Sequence, residues 1–196
     1  GGVIYNGDQG QRVLNTSSSV TVAVSDSGHA IFEDIRNGNG DFTVAATAAN
    51  TGYGGMGPGS VSNRATYVQD TYTVNFYNNG AGQLVFDVNG VASGPVSVGT
   101  VFAQNGAMTF NGITTSVDGL PAPGDSFTIA PSVSQDVFAT IQSAITALRM
   151  SALGSTQIAQ MRTRLDQALV SLDQAMTNFD QVRSEVGARL NIIDAE

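Results

Sequence analysis

Over residues 165–193 the chain repeats every seven positions, as LDQALVS, LDQAMTN, FDQVRSE and VGARLNI followed by Ile193. An apolar residue at each seventh place, with companions three or four further on, predicts a helix with an apolar seam that packs along its length on a partner. Extended upstream, one column of the seam reads Ile158, Leu165, Leu172, Phe179, Val186 and Ile193, and its companion reads Met161, Ala168, Ala175 and Val182. Residues 155–193 contain no proline, and at 1.5 Å per residue they span roughly 58 Å. A compact domain of about 130 residues is roughly 36 Å across. The expected helix outruns the rest of the chain. These ten residues are therefore read as an assembly seam, covered by another chain or by a segment outside this sequence.

The residues before the helix follow a different grammar. Twenty-one of the 23 glycines and all five prolines fall in residues 1–131, which places a boundary near Pro131 between a β domain (1–131) and a helical domain (132–196). Seven Asn-Gly pairs, among them Asn79-Gly80, Asn89-Gly90, Asn105-Gly106 and Asn111-Gly112, suit the positive φ angles of hairpin turns. Tyr72, Val74 and Phe76 alternate with polar residues and are answered by Leu84, Phe86 and Val88, the pattern of a hairpin with one buried face. Val20, Val22 and Val24 alternate likewise, and Phe127 and Ile129 form the inner side of a last strand. Segments 42–48, 64–68, 107–110 and 113–117 are further strand candidates. The glycine-rich stretch 52–60 reads as a loop, and residues 29–36 as two helical turns with Ile31, Phe32 and Ile35 inward.

After Pro131, Ser132-Val133-Ser134-Gln135 has the form of a capping box, followed at helical spacing by Val137, Phe138, Ile141, Ile145 and Leu148. A helix of about 17 residues is expected there, ended at Gly154, with Ser155 capping the long helix. The short link makes the two helices antiparallel neighbours. The expected class is α+β: an antiparallel β-barrel or sandwich, then an antiparallel helix pair with one long coiled-coil-like helix.

Chemistry is scarce. Net charge is −8 with a pI near 4.3, which argues against nucleic acid and anionic membrane as partners, since both require clustered positive charge. Cysteine is absent, which excludes disulfides and thiolate metal sites. His29 is the single histidine and reads as a surface or turn residue, so no site that needs histidine in duplicate, such as a multi-histidine metal site, can be built. No catalytic residues, cofactor or metal site are expected, and the chain is not read as an enzyme. Asn37-Gly38-Asn39-Gly40-Asp41 has part of a calcium loop's alternation but not its sixth-place glycine or terminal glutamate, and reads as a turn. Asp166, Asp173 and Asp180 recur beside Gln167, Gln174 and Gln181, either as a solvated face or as a polar strip meeting a neighbour in an assembly.

Val182-Arg183-Ser184-Glu185-Val186-Gly187-Ala188-Arg189-Leu190-Asn191 resembles the C-terminal helix signature of the flagellin superfamily. The β half narrows the resemblance to the hook-associated proteins that join flagellar hook to filament. It rests there on Phe42–Ala46, Asn50-Thr51-Gly52, Gly57–Val61, Tyr5–Arg12 and Pro123–Phe127 leading to Pro131-Ser132. The resemblance implies a structural protein of the bacterial flagellum, exported through the flagellar secretion apparatus and located outside the cell. It implies a rod of paired N- and C-terminal helices with a projecting β domain. The implied partners are copies of the same chain, the adjacent hook-associated protein on the hook side and flagellin on the filament side. The alternative is an adhesin or other binding module whose coiled-coil stalk carries a β head, although the fourteen aromatics include no tryptophan for a sugar platform.

Overall fold

The computed structural model describes residues 3, 5–16, 20–151 and 153–195. Among them, three short elements come first: strands β1 (Val13–Asn15) and β2 (Thr21–Ala23) pair as a hairpin, and helix α1 spans Gly28–Phe32. Ser27 caps α1 by accepting from the His29 N–H. The expected second helical turn is replaced by strand β3 (Ile35–Arg36), with Ile35 buried.

Next come β4 (Phe42–Ala46), β5 (Gly55–Met56), β6 (Ser60–Val61), β7 (Tyr72–Asn78), β8 (Leu84–Gly90), β9 (Gly94–Val101), β10 (Ala107–Phe110), β11 (Ile113–Asp118) and β12 (Ser126–Pro131). A five-stranded antiparallel sheet runs in the order β4-β12-β7-β8-β9, and β10, β11, β5 and β6 form a smaller one. Alternation in the strands decides what lies between them. Tyr72, Val74, Phe76, Phe127 and Ile129 from the large sheet meet Met108, Phe110, Ile113 and Val117 from the small one in a single core. Tyr72 and Phe110 stack edge to face, as do Phe76 and Phe127.

Several local readings change in three dimensions. The stretch 52–60 is not all loop: β5 and β6 both pair with β11, and Met56 is in the core. Residues 64–68 form no strand; Arg64 instead pairs through both guanidinium nitrogens with Asp41, and the Tyr67 hydroxyl donates to the Asp41 carbonyl. Asn111-Gly112, with φ of 43° and 77°, makes the two-residue turn between Phe110 and Ile113 as its sequence predicts. Asn89-Gly90 does not turn. Gly90 is the last residue of β8, and a Cβ there would collide with the Asp70 carboxylate and crowd the Tyr72 ring.

Ser132–Gln135 is not the helix cap. The Ser132 hydroxyl donates to the Asn37 carbonyl, and β13 (Ser134–Gln135) pairs with β3. The cap is Asp136, whose carboxylate accepts from the Phe138 N–H at 2.7 Å, and helix α2 covers the 12 residues Val137–Leu148. Helix α3 then runs for 41 residues, Ser155–Ala195, about 61 Å at 1.5 Å per residue. A second core joins Ile35, Val137, Ala175 and Phe179, with the Phe32 ring against both Phe138 and Phe179. The start of α2 thus lies beside the middle of α3, as antiparallel packing requires.

Candidate functional site

Among the described residues no three His, Cys, Asp or Glu side chains converge as a metal site. His29 pairs with Glu33 one turn on, at 2.7 Å. In the 37–41 segment the oxygens serve the chain itself: Asn39 Oδ1 accepts from the Asp41 and Phe42 N–H groups, and Asn37 Oδ1 accepts from Val133. What the molecule does present is a long helical surface.

Helix α3 turns small side chains toward its own chain. Ala159, Thr163, Ala168, Ser171 and Ala175 are its buried residues, and their size lets the helix lie close to the sheet. Polar contacts complete the junction. β4 is an edge strand, and an uncovered edge exposes backbone groups that need partners. Glutamines of α3 at seven-residue spacing meet that need. Gln167 Oε1 accepts from the Val44 N–H, Gln160 Nε2 donates to the Ala48 carbonyl at 3.5 Å, and the Gln174 amide lies against Gly40. Gln167 and Gln174 of the Asp-Gln repeat therefore face this chain's own strands, whereas Gln181 is exposed and donates to Glu185 one turn on.

The ten seam residues divide by size. Ala168 and Ala175 are buried; Met161, Leu165, Leu172, Phe179 and Val182 are half-buried; Ile158, Val186 and Ile193 are exposed. Only the alanines of the seam are fully covered, and every larger side chain is left at least partly open. Beside them are residues that the seven-residue columns left out, Leu169 at 58% exposure, Met176 at 63% and Leu190 at 56%. They recur at intervals of seven and fourteen, and that spacing was the signal for them. Helix α2 does not bury its apolar row either: Val137, Thr140 and Ala147 face inward, whereas Phe138, Ile141, Ile145 and Leu148 are exposed. Beyond Phe179 the helix is touched by the N-terminal hairpin region. Arg189 pairs with Asp26 at 2.8 Å, which holds the Asp26 carboxyl below its ordinary range and raises the Arg189 guanidinium. Asp26 also accepts from Gln11 Nε2, so one carboxylate ties three segments together.

No protein-family model matches the chain, and no curated protein sequence does. Solved structures do. The flagellar junction protein FlgL from Legionella pneumophila superposes with a TM-score of 0.94 at 37% identity, over 98% of this chain and 62% of its own. A second Legionella pneumophila structure, named flagellar hook-associated protein-3, gives the same TM-score and identity, over 98% of this chain and 61% of its own. FlgL from Xanthomonas campestris gives a TM-score of 0.87 at 30% identity, over 97% of this chain and 62% of its own. The chain spans about three-fifths of the length of these relatives. With sequence identity and backbone agreement extending over nearly every residue present, the chain belongs to the family of the flagellar junction protein, hook-associated protein 3.

Proposed function

We propose that this protein is a structural subunit of the bacterial flagellum, placed at the junction between hook and filament, with no enzymatic role. It works outside the cell, after export through the flagellar apparatus. Residues 132–196 contribute half of a helical rod, and residues 1–131 form the β domain that projects from it. Assembly runs through the seam from Ile158 to Ile193, widened by Leu169 and Met176. Its partners are other copies of the chain, the neighbouring hook-associated protein and flagellin. The observation that carries this reading is the coincidence of two facts: the relatives are flagellar junction proteins, and Leu169, Met176 and Leu190 of α3 lie open. Exposed apolar surface rimmed by charge marks a contact site.

The test is complementation. A strain lacking its junction protein is supplied with the full-length gene containing this sequence, either unchanged or with Leu172→Asp and Phe179→Asp. The unchanged gene restores filament attachment and motility, and the doubly substituted one sheds filaments. Normal filaments from the substituted gene would remove the seam from the reading.

A further inference from the structure

The seven Asn-Gly pairs are reactive as well as turn-forming. A glycine nitrogen, unhindered by a Cβ, can attack the side-chain carbonyl of the asparagine before it and close a five-membered imide with loss of ammonia. In a folded chain this needs a glycine N–H free to lose its proton, room for the ring, and a polarised asparagine carbonyl. Three of the pairs have their glycine N–H engaged: Gly38 donates to the Ser171 hydroxyl at 2.8 Å, Gly40 to the Asn37 carbonyl and Gly106 to the Ala103 carbonyl. Asn89 and Gly90 are held in β8 between β7 and β9. Gly112 is buried against the Asn63 carbonyl and the Tyr67 backbone. At Gly7 the Tyr5 ring fills the space beside the backbone.

Asn79-Gly80 differs on every count. It stands at the tip of the hairpin that joins β7 to β8. Gly80 is exposed, nothing lies within 4 Å of the place a Cβ would take, and its N–H donates to no group among the described residues. Asn79 Oδ1 accepts from the Ala81 N–H at 2.9 Å and from the Gln83 N–H at 3.0 Å. These two donors draw charge from the carbonyl and stand where an oxyanion forms when Cγ becomes tetrahedral.

We propose that Asn79 is a site of spontaneous covalent modification: in the folded protein it converts through a cyclic imide to aspartate and isoaspartate, ahead of the other Asn-Gly asparagines. Hydroxide takes the Gly80 amide proton. The nitrogen then bonds to Asn79 Cγ, which places the negative charge on Oδ1. The Cγ–Nδ2 bond breaks next, and Nδ2 takes a proton from water and leaves as ammonia, which regenerates hydroxide. Water opens the imide at Cγ to give aspartate, or at the backbone carbonyl to give isoaspartate, whose chain runs through the side-chain carbon. One water is consumed and one ammonia released, with no oxidant or reductant. The aspartate product keeps the turn, because a carboxylate accepts from the Ala81 and Gln83 N–H groups more strongly than an amide does. The isoaspartate product lengthens the link between β7 and β8 by one carbon, in a loop whose residues Gly80 to Gln83 are all exposed. The hairpin tip thus gains a negative charge as each molecule ages, without a modifying enzyme.

The test incubates the full-length protein containing this sequence in mildly alkaline buffer. Mass-spectrometric peptide mapping follows each Asn-Gly pair, and enzymatic methylation measures isoaspartate. Position 79 converts first, about fivefold to tenfold ahead of Asn105, whose glycine must give up a hydrogen bond before it reacts. Both products form, the rate rises with pH, and in denaturant the pairs converge. Gly80→Pro removes the reacting N–H and abolishes both products at position 79. Proline suits this place, the first central position of a turn closed by the Gly82 N–H on the Asn79 carbonyl, and a melt like the parent's confirms the fold. Gly80→Ala has room for its methyl group and slows the conversion without abolishing it. Conversion that survives Gly80→Pro, or that gives aspartate without isoaspartate, would overturn the imide route. Another pair converting as fast in the folded protein, or a lead for position 79 that persists in denaturant, would overturn its selection by the fold.

Discussion

Replacing Leu169 and Met176 together with glutamine separates what α3 does for its own fold from what it does for an assembly. Burying a leucine or methionine side chain completely is worth roughly 1.5–3 kcal/mol. Leu169 and Met176 are 58% and 63% exposed, so a partner that covers the remainder gains roughly 1–2 kcal/mol at each, or about 2–4 kcal/mol for the pair. Glutamine matches leucine and methionine closely in helix propensity, and its methylenes retain part of the contact within the chain. The isolated protein should therefore lose about 1 kcal/mol, which lowers the melting temperature by about 2–4 °C in a protein of this size. The assembly constant should fall between about thirtyfold and a thousandfold, since each 1.4 kcal/mol is a factor of ten. Circular dichroism melts measure the first quantity, and sedimentation or filament attachment with the full-length protein measures the second. An unchanged assembly constant alongside the expected small shift in melting would refute the claim that this row is covered by a partner.

Other perturbations address the β domain. Asp125 is buried and accepts from the Thr51, Gly52 and Ala122 N–H groups. Asp125→Ala leaves three donors unserved and should cost about 3–5 kcal/mol in urea unfolding, whereas Asp125→Asn, which keeps one acceptor, should cost less. Asp70 accepts from the Thr71, Ala92 and Ser93 backbone N–H groups, which hold its carboxyl down to about 2. An unfolded aspartate titrates near 3.9, so the unfolded chain binds this proton first. The stability from Asp70 is fully present above about pH 4 and is lost as the pH falls toward 2. Asp70→Asn should flatten the acid limb of a stability profile over that window, and an unchanged limb would contradict the assignment. Gly82 and Gly112 have nearly the same φ, 78° and 77°, but a Cβ at Gly112 meets the Asn63 carbonyl and the Tyr67 backbone, while Gly82 faces open space. Gly82→Ala should cost about 1–2 kcal/mol for the left-handed conformation alone. Gly112→Ala should cost more, and equal losses in denaturant titrations would show that crowding at Gly112 plays no part.

The features readable from the chain were those that depend on neighbours in sequence. Alternation at Tyr72, Val74 and Phe76 and at Phe127 and Ile129 marks strands with one inward face, and these residues fill the core. Absence of proline together with the seven-residue period marks α3. Readings failed where a residue answers to a distant partner. Gly90 looks like a turn glycine but serves the approach of Asp70 and Tyr72; Ser132 looks like a cap but holds Asn37; Arg64 follows the Asp41 carboxylate, not a strand. Each competing contact spans at least 18 residues, beyond what a local pattern can register.

The candidate site divides along the same line. By itself the sequence determined that a helix longer than its own domain carries an apolar row and an Asp-Gln repeat, since both follow from spacing alone. It did not determine which side of that helix is already in use, because a contact with the chain's own sheet and a contact with a partner leave the same period. The tertiary structure decided that. The β4 edge has backbone groups that need polar partners and admits only small side chains beside them, so Gln167, Ala168, Ser171 and Ala175 turn inward. Leu169, Asp173, Met176 and Leu190 are left on the side that the described residues of this chain leave open.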